Sequence, residues 1–165
     1  MTHMKRKSTL VVVTVLVSIV CLMLVGCGHA AKNEKNASGS LQVVTTADAP
    51  AAIGPYSQGI IANGFVYASG QIALDPKTGE LVGTDIQTQS EQVMKNITAL
   101  LQAAGTDTNH VVKTTCYLAD INDFSAFNEV YGKYFNETLP ARSAVGVAAL
   151  PKGALVEVEV IAAVK

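Results

Sequence analysis

Alternating and helically spaced apolar residues predict strands and two helices in the part of the chain that follows residue 40. The strongest local signal is Asn63-Gly64, which separates the β-prone runs 60–62 and 65–68. An Asn-Gly pair between two apolar runs is typical of a β-hairpin, because both residues tolerate the left-handed backbone of its turn. A second turn is predicted at residues 75–79. The other predicted strands cover residues 41–46, 111–119, 142–148 and 155–164.

Two segments have the spacing of amphipathic helices. In the first, Thr84 or Asp85 can cap a helix that runs to Ala104 and ends at Gly105. Its apolar residues share one helical face: Ile86, Val93, Ile97, Leu100, Leu101 and Ala104. The second helix is predicted over residues 123–135. Its apolar side carries Phe124, Phe127, Val130, Tyr131 and Tyr134.

This order of elements predicts an α+β domain, in which two helices cover one face of a mixed sheet. The last strand indicates what the other face holds. Val156, Val158 and Val160 point to one side of that strand, whereas the opposite side carries Glu157, Glu159, Ile161 and Ala163. A face that combines two acids with apolar residues is not simply a solvated surface. We therefore expect an oligomer interface with a polar site in it.

The N-terminal residues have the pattern of an export signal. Lys5, Arg6 and Lys7 precede the apolar run 10–25, and Gly26-Cys27 follows it. This arrangement resembles the bacterial lipoprotein box, in which the cysteine is acylated and becomes the new N terminus after cleavage. An uncleaved membrane anchor is the alternative, because a run of about sixteen apolar residues is near the lower limit for a spanning helix.

We therefore predict three segments. Residues 1–26 form a lipoprotein signal peptide, residues 27–40 comprise the lipidated Cys27 and a flexible polar tether, and residues 41–165 form the domain. Either interpretation of the N terminus exports the domain and attaches it to a membrane, on the periplasmic or cell-surface side.

Charge and cysteine content narrow the possible partners of the domain. Residues 41–165 contain seven Lys and Arg residues and twelve Asp and Glu residues, a net charge of about −5. This charge argues against nucleic acid as a partner, since phosphate binding needs clustered positive charge. Cys116 is the sole cysteine of the domain, and we interpret it as a small buried hydrophobic residue. Without a Cys or His cluster, the sequence predicts no metal site.

Arg142 is the only arginine of the domain and lies at the start of a predicted strand. Its planar guanidinium can donate two parallel hydrogen bonds to a carboxylate. On spacing alone, however, Arg142 is better interpreted as a surface residue in an ion pair than as a ligand-binding residue. Glu157 by the same criterion is a solvated strand acid, and Tyr56 and Asn128 are structural residues.

Several segments nevertheless carry a resemblance to a known family. They read IGPYSQ (53–58), ASGQI (68–72), VKTT (112–115), ADINDF (119–124), PARS (140–143), LPKG (150–153) and EVE (157–159). In order and spacing they resemble the RidA (YjgF-type) family, over nearly all of residues 41–165.

The resemblance implies a chorismate mutase-like fold, assembled as a homotrimer with sites between subunits. It also implies hydrolysis of 2-imino acids, formed from unstable enamines, to 2-keto acids and ammonia without a metal or cofactor. The expected substrates are 2-iminobutanoate and 2-iminopropanoate. Matched residue by residue, Arg142 would hold the substrate carboxylate, and Glu157 would position and activate the attacking water. The pocket would be lined by Tyr56, Ser69, Gly70 and Asn128, with the backbone of Ser143 and Ala144 near the imine nitrogen.

Two positions depart from the family pattern. Ala144 stands where the family often has cysteine, and Gly146 stands where an acidic or amide residue is common. Any role of that thiol is therefore absent here, although a backbone contact at Ala144 would survive.

A hairpin between the predicted strands 142–148 and 155–164 would place Glu157 near Ala148. Glu157 would then lie about 20 Å from Arg142, at about 3.3 Å per residue. One small substrate cannot span that distance. Under this assumption the two residues meet only across subunits, so we expect a site shared at the oligomer interface.

Two other functions are compatible with the sequence. A non-catalytic binding or holdase-like module could use the same cleft or the trimer surface, and the export signal favours it because the dehydratases that release these enamines are cytoplasmic. A domain that acts on another small carboxylate outside the cell would also use Arg142. The presence of both Arg142 and Glu157 in the sequence favours the enzyme, because a pure binding module need not keep the acid.

Overall fold

The computed structural model describes residues 40–135 and 137–165. Its strands are β1 (Gln42–Val44), β2 (Gly59–Ala62), β3 (Phe65–Gln71), β4 (Val111–Leu118), β5 (Ala141–Gly146) and β6 (Val156–Ala163). Its α-helices are α1 (Ile86–Ala103) and α2 (Phe124–Tyr131). The strands form one sheet in the order β1-β2-β3-β6-β4-β5, in which β4 and β5 are parallel and the other neighbours are antiparallel. The predicted α+β class, with a mixed sheet and two helices, is confirmed.

The predicted hairpin at Asn63-Gly64 joins β2 to β3. Both turn residues have positive φ, 51° at Asn63 and 79° at Gly64, as this tight turn requires. The turn fixes the pairing of Ala62 with Phe65 and of Gly59 with Ala68. Register across the hairpin therefore follows from local turn chemistry.

Helix α1 begins and ends where its sequence predicts. The side chain of Asp85 accepts a hydrogen bond from the Thr88 backbone N–H at 2.8 Å, which caps the helix. All six apolar residues of the predicted face are buried. Helix α2 is shorter than predicted, because the chain continues from Tyr131 into a single 3₁₀ turn, Gly132–Tyr134. Glycine is a weak helix former, which is consistent with the change at Gly132.

Strand β6 separates the core from the sheet face opposite the two helices. Val156, Val158 and Val160 are buried on the helix side, whereas Glu157 and Glu159 alternate with them and are half-buried. The alternation predicted from the sequence is confirmed. Cys116 on β4 is also fully buried within this core, in agreement with its interpretation as a small hydrophobic residue.

The predicted hairpin between the last two strands is wrong. Strand β4 lies between them: Tyr117 pairs with Glu157 on one side and with Val145 on the other. Because β5 runs parallel to β4 while β6 runs antiparallel to it, residues 147–155 carry the chain across β4 instead of forming a tight turn.

Neither helix within residues 40–135 and 137–165 has the length and apolar content needed to cross a membrane. The predicted signal peptide, the lipidated Cys27 and the tether up to residue 39 lie outside the described residues. These three assignments stay predictions.

Candidate functional site

A pocket of about 400 Å³ opens beside β3 and β6 on the sheet face opposite the two helices. Its lining residues are Ile53, Tyr56, Ser69, Gly70, Ile72, Pro151, Glu157 and Glu159. Four residues assigned to the site by resemblance meet here: Tyr56, Ser69, Gly70 and Glu157. The pocket combines an apolar wall with a pair of acids.

A bulge in β3 forms one wall of the pocket. The pairing of β3 with β6 shifts register between Ala68 and Gln71, so Ser69 and Gly70 leave the regular ladder. The Ser69 hydroxyl donates a hydrogen bond to the Ser57 carbonyl at 2.7 Å, and its N–H donates to the Gln58 carbonyl at 3.0 Å. These bonds join the bulge to the segment that carries Tyr56.

Gln58 holds that segment in place and was missed by the sequence analysis. Its buried side-chain amide donates to the carbonyls of Thr46, Ala49 and Pro50 at 3.0, 3.2 and 2.8 Å. Its side-chain oxygen accepts the Thr46 N–H at 2.8 Å. The sequence signals were its place at the end of the IGPYSQ motif and its position just ahead of the predicted strand 60–62, and neither specifies these partners.

Tyr56 lines the pocket and is 47% exposed. Its hydroxyl accepts a hydrogen bond from the Ile53 N–H at 3.2 Å, which closes a short loop. Tyr56 is therefore presented by an ordered turn and stays accessible to a ligand.

Glu157 is one of the two acids that line the pocket. Burial raises the pKa of its carboxyl above the ordinary value, and repulsion from Glu159 raises it further. The Tyr117 hydroxyl lies on the same face and donates to Glu159 at 3.5 Å. A carboxylate with a raised pKa is a better proton acceptor at neutral pH, which suits general acid–base chemistry.

Arg142 belongs to a different group, on the helix side of the edge strand β5. Its Nη1 donates to the Asn128 side-chain oxygen at 2.8 Å. The guanidinium carbon lies 4.7 Å from the Tyr131 ring centroid, 5.4 Å from that of Phe124 and 6.0 Å from that of Phe127. It is exposed, and it forms no ion pair with an acid of residues 40–135 or 137–165. The aromatic rings hold the guanidinium while donor positions stay open to a carboxylate ligand.

Register places the two charged residues on opposite faces of the sheet. Arg142 pairs with Thr114, which is fully buried and hydrogen-bonded to the Tyr131 hydroxyl on α2. Glu157 pairs with Tyr117, three residues along β4. The Cα atoms of Arg142 and Glu157 are thus three residues apart along the strands and two strand spacings apart across the sheet, a distance of about 14 Å. The expected 20 Å was therefore wrong, because it assumed a hairpin that does not form.

The remaining assigned residues lie on β5, near Arg142 and apart from the pocket. Ser143 is exposed, and its hydroxyl accepts a hydrogen bond from Lys113 Nζ at 3.3 Å. Ala144 packs partly against the core. The part of the chain that the structure describes contains no cluster of His, Cys, Asp and Glu suited to a metal ion.

The sheet with helices on one face and an acid-lined pocket on the other defines a small α+β domain with a candidate site for a small molecule. A model of the family described as Endoribonuclease L-PSP matches residues 46–164, and the chain belongs to this family. The family resemblance seen in the sequence motifs is thereby confirmed.

Similar proteins carry several names. A Lactococcus lactis protein named "Putative regulator AldR" is 61% identical over 125 residues, which cover 76% of this chain and 99% of that protein. The human 2-iminobutanoate/2-iminopropanoate deaminase is 50% identical over 121 residues, which cover 73% of this chain and 88% of the human protein. The crystal structure of YyfA from Yersinia pestis, of the conserved Rid protein family, has a TM-score of 0.74 at 56% identity and covers 76% of this chain and 100% of that one.

Proposed function

We propose that this protein hydrolyses 2-imino acids, such as 2-iminobutanoate and 2-iminopropanoate, to 2-keto acids and ammonia. The observation that carries the proposal is the Glu157 carboxyl, which has a raised pKa and lines a pocket with Tyr56 and Ser69. Relatives about half identical to this chain bear the name of this deaminase, which supports the same assignment.

The reaction needs one group that accepts and returns a proton. Water oxygen bonds to the imine carbon while Glu157 takes a proton from that water and passes it to the imine nitrogen, which gives a neutral carbinolamine. Glu157 then takes the hydroxyl proton of this intermediate and delivers it to the amino nitrogen, so that the C–N bond breaks and ammonia leaves as the C=O bond forms. Because the imine carbon is already electrophilic, orientation and this proton transfer supply most of the acceleration needed.

The second requirement is a cation for the substrate carboxylate, and Arg142 is the best candidate in the domain. Its guanidinium is exposed and already oriented by Asn128 and Tyr131. Within one chain it lies on the opposite face of the sheet from Glu157. We therefore assign each site to two subunits of a homotrimer, one supplying Glu157 and its neighbour supplying Arg142 with Ser143 and Ala144.

Cleavage of RNA is the activity that the family description suggests, and the charge of this domain argues against it. Residues 41–165 have twelve acids against seven basic residues. Two of those acids, Glu157 and Glu159, line the pocket itself and would repel a phosphodiester backbone. A small, singly charged substrate fits these observations better.

A coupled assay tests the activity. Threonine dehydratase generates 2-aminocrotonate, and the appearance of the keto acid is followed with and without this protein. We expect wild type to accelerate the reaction, Arg142→Ala to raise KM and Glu157→Gln to lower kcat. If wild type adds nothing to the spontaneous rate, the deaminase proposal is wrong.

Subunit mixing tests the shared site. In a one-to-one mixture of Arg142→Ala and Glu157→Gln subunits, about a quarter of randomly assembled sites would receive both native residues. The mixture should recover a corresponding share of wild-type activity. Arg142→Ala mixed with the double variant is the matched control, because none of its sites contains both residues. No recovery beyond that control would show that each site lies within one subunit.

We also propose that acylation of Cys27 anchors the protein on the outer side of a membrane. Labelling with a radioactive fatty acid should modify wild type and Cys21→Ser but not Cys27→Ser. Cys21 is a suitable control because it lies inside the apolar run. Equal labelling of both variants would contradict the assignment.

A further inference from the structure

Gly70 is the point at which the bulge of β3 touches Glu157. Its φ lies outside the left-handed region, so backbone conformation does not require glycine here. Space does require it. A Cβ at this position would overlap Oε1 of Glu157 and would lie 2.8 Å from its Cδ and 3.1 Å from its Cγ.

Two other neighbours of Glu157 do not hold its carboxylate. Glu159 follows on the same strand and repels it, and Tyr117 on β4 is already directed to Glu159. The bulge at Ser69-Gly70 moves the backbone out of the regular ladder and leaves the space that the carboxylate occupies. The absence of a side chain at residue 70 is thus what admits the acid to the pocket wall.

We propose that Gly70 is a positioning residue: it seats the Glu157 carboxylate against the bulge and so sets the position from which this acid acts on water. The inference rests on the proposed function of Glu157. The resemblance implies only that Gly70 lines the pocket. The role proposed here is a different one, because Gly70 acts through the position of Glu157.

The consequence of a methyl group at residue 70 follows from the atoms involved. The overlap involves Oε1 and Cδ of Glu157, whereas Cγ is only in tight contact, so rotation of the terminal carboxylate alone, which leaves Cδ in place, does not relieve it. The carboxyl group must therefore swing away from the bulge. A displacement of about 1 Å in a catalytic group can cost about 100-fold in rate.

Kinetics of five variants test the inference. Gly70→Ala should lower kcat by about 100-fold and change KM little, because the carboxylate-binding Arg142 is untouched. Gly132→Ala is the matched control: it also has negative φ, and a Cβ there meets no atom within 4 Å. The double variant Gly70→Ala with Glu157→Gln should have a kcat no lower than that of Glu157→Gln alone. Glu157→Asp, one methylene shorter, should restore part of the rate in the Gly70→Ala background.

Additive losses in the double variant, or an unchanged kcat in Gly70→Ala, would overturn the inference. A mere narrowing of the pocket would act on KM and would add to the loss from Glu157→Gln. Non-additivity therefore distinguishes positioning of the acid from obstruction of the substrate.

A readout without substrate separates this inference from the proposed function. The Glu157 carboxyl carbon is titrated by NMR in protein labelled with carbon-13 glutamate, and Glu157→Gln identifies its resonance. Displacement from the bulge towards solvent should lower the pKa of Glu157 in Gly70→Ala and leave it unchanged in Gly132→Ala. An unchanged pKa of Glu157 in Gly70→Ala would refute the positioning role of Gly70, whatever the activity of the variant. A moved titration with an inactive wild type refutes only the deaminase proposal.

Discussion

Replacing Gln58 with leucine would remove the side chain that joins residues 46–50 to the start of β2. Leucine has nearly the same volume as glutamine, so the change creates little cavity and isolates the loss of hydrogen bonds. Gln58 is 5% exposed, so water has poor access to the groups left behind. The perturbation therefore reports on the polar scaffold beneath the Tyr56 segment.

The magnitude follows from the donors and acceptors of one amide. Its two N–H hydrogens are shared among the carbonyls of Thr46, Ala49 and Pro50, so they count as about two full hydrogen bonds. The oxygen accepts a third from the Thr46 N–H. At about 1 kcal/mol each, the loss in free energy of unfolding is about 3 kcal/mol. For a domain of this size the thermal midpoint should fall by about 10 °C.

Urea and thermal unfolding of Gln58→Leu against wild type measure this loss. The matched control is Gln87→Leu, because Gln87 is exposed on α1 and its side chain makes no hydrogen bond to the described residues. The control should stay within about 0.5 kcal/mol of wild type. A loss in Gln58→Leu no greater than in Gln87→Leu would refute the view that this amide organises the segment.

Three further predictions concern charge and turn chemistry. Burial and Glu159 raise the pKa of Glu157, so its ionised form destabilises the fold. Glu157→Gln should therefore have a higher thermal midpoint than wild type at neutral pH. The difference should vanish at pH values below the ordinary pKa of a carboxyl group. Hydrogen bonds from Lys165, and to a smaller extent from His110, hold the pKa of Asp107 well below its usual range. Asp107→Asn should therefore have a lower thermal midpoint than wild type at neutral pH. This difference should disappear in acid, once Asp107 of wild type is protonated. Gly64→Ala should cost about 1 kcal/mol in urea unfolding, because φ at this turn is 79°, and an unchanged midpoint would contradict that strain.

Elements with local signals could be predicted from the sequence. Asp85 as a cap, the spacing of apolar residues and the terminal glycine delimit α1, and Asn63-Gly64 defines its hairpin without reference to the rest of the chain. The alternation along β6 likewise identified the face that bears Glu157. Each of these features depends on residues close together in sequence.

Strand pairing and buried amides could not be predicted in this way. The sequence places β5 and β6 next to each other, but β4, far earlier in the chain, lies between them. Gln58 and Asn96 bond to backbone carbonyls of irregular segments; Asn96, for instance, donates to Ile72 and Leu74. Such partners become visible only once the segments are positioned in three dimensions.

The placement of Arg142 and Glu157 on opposite faces of one sheet has a consequence for how activity depends on protein concentration. Under the proposed shared site, an isolated subunit holds both charged groups and yet cannot bring them to one substrate. Specific activity should therefore fall on dilution below the dissociation constant of the assembly. Confinement to a membrane surface through Cys27 would oppose that loss, since it keeps subunits at high local density. The anchor would then sustain the catalyst as well as locate it.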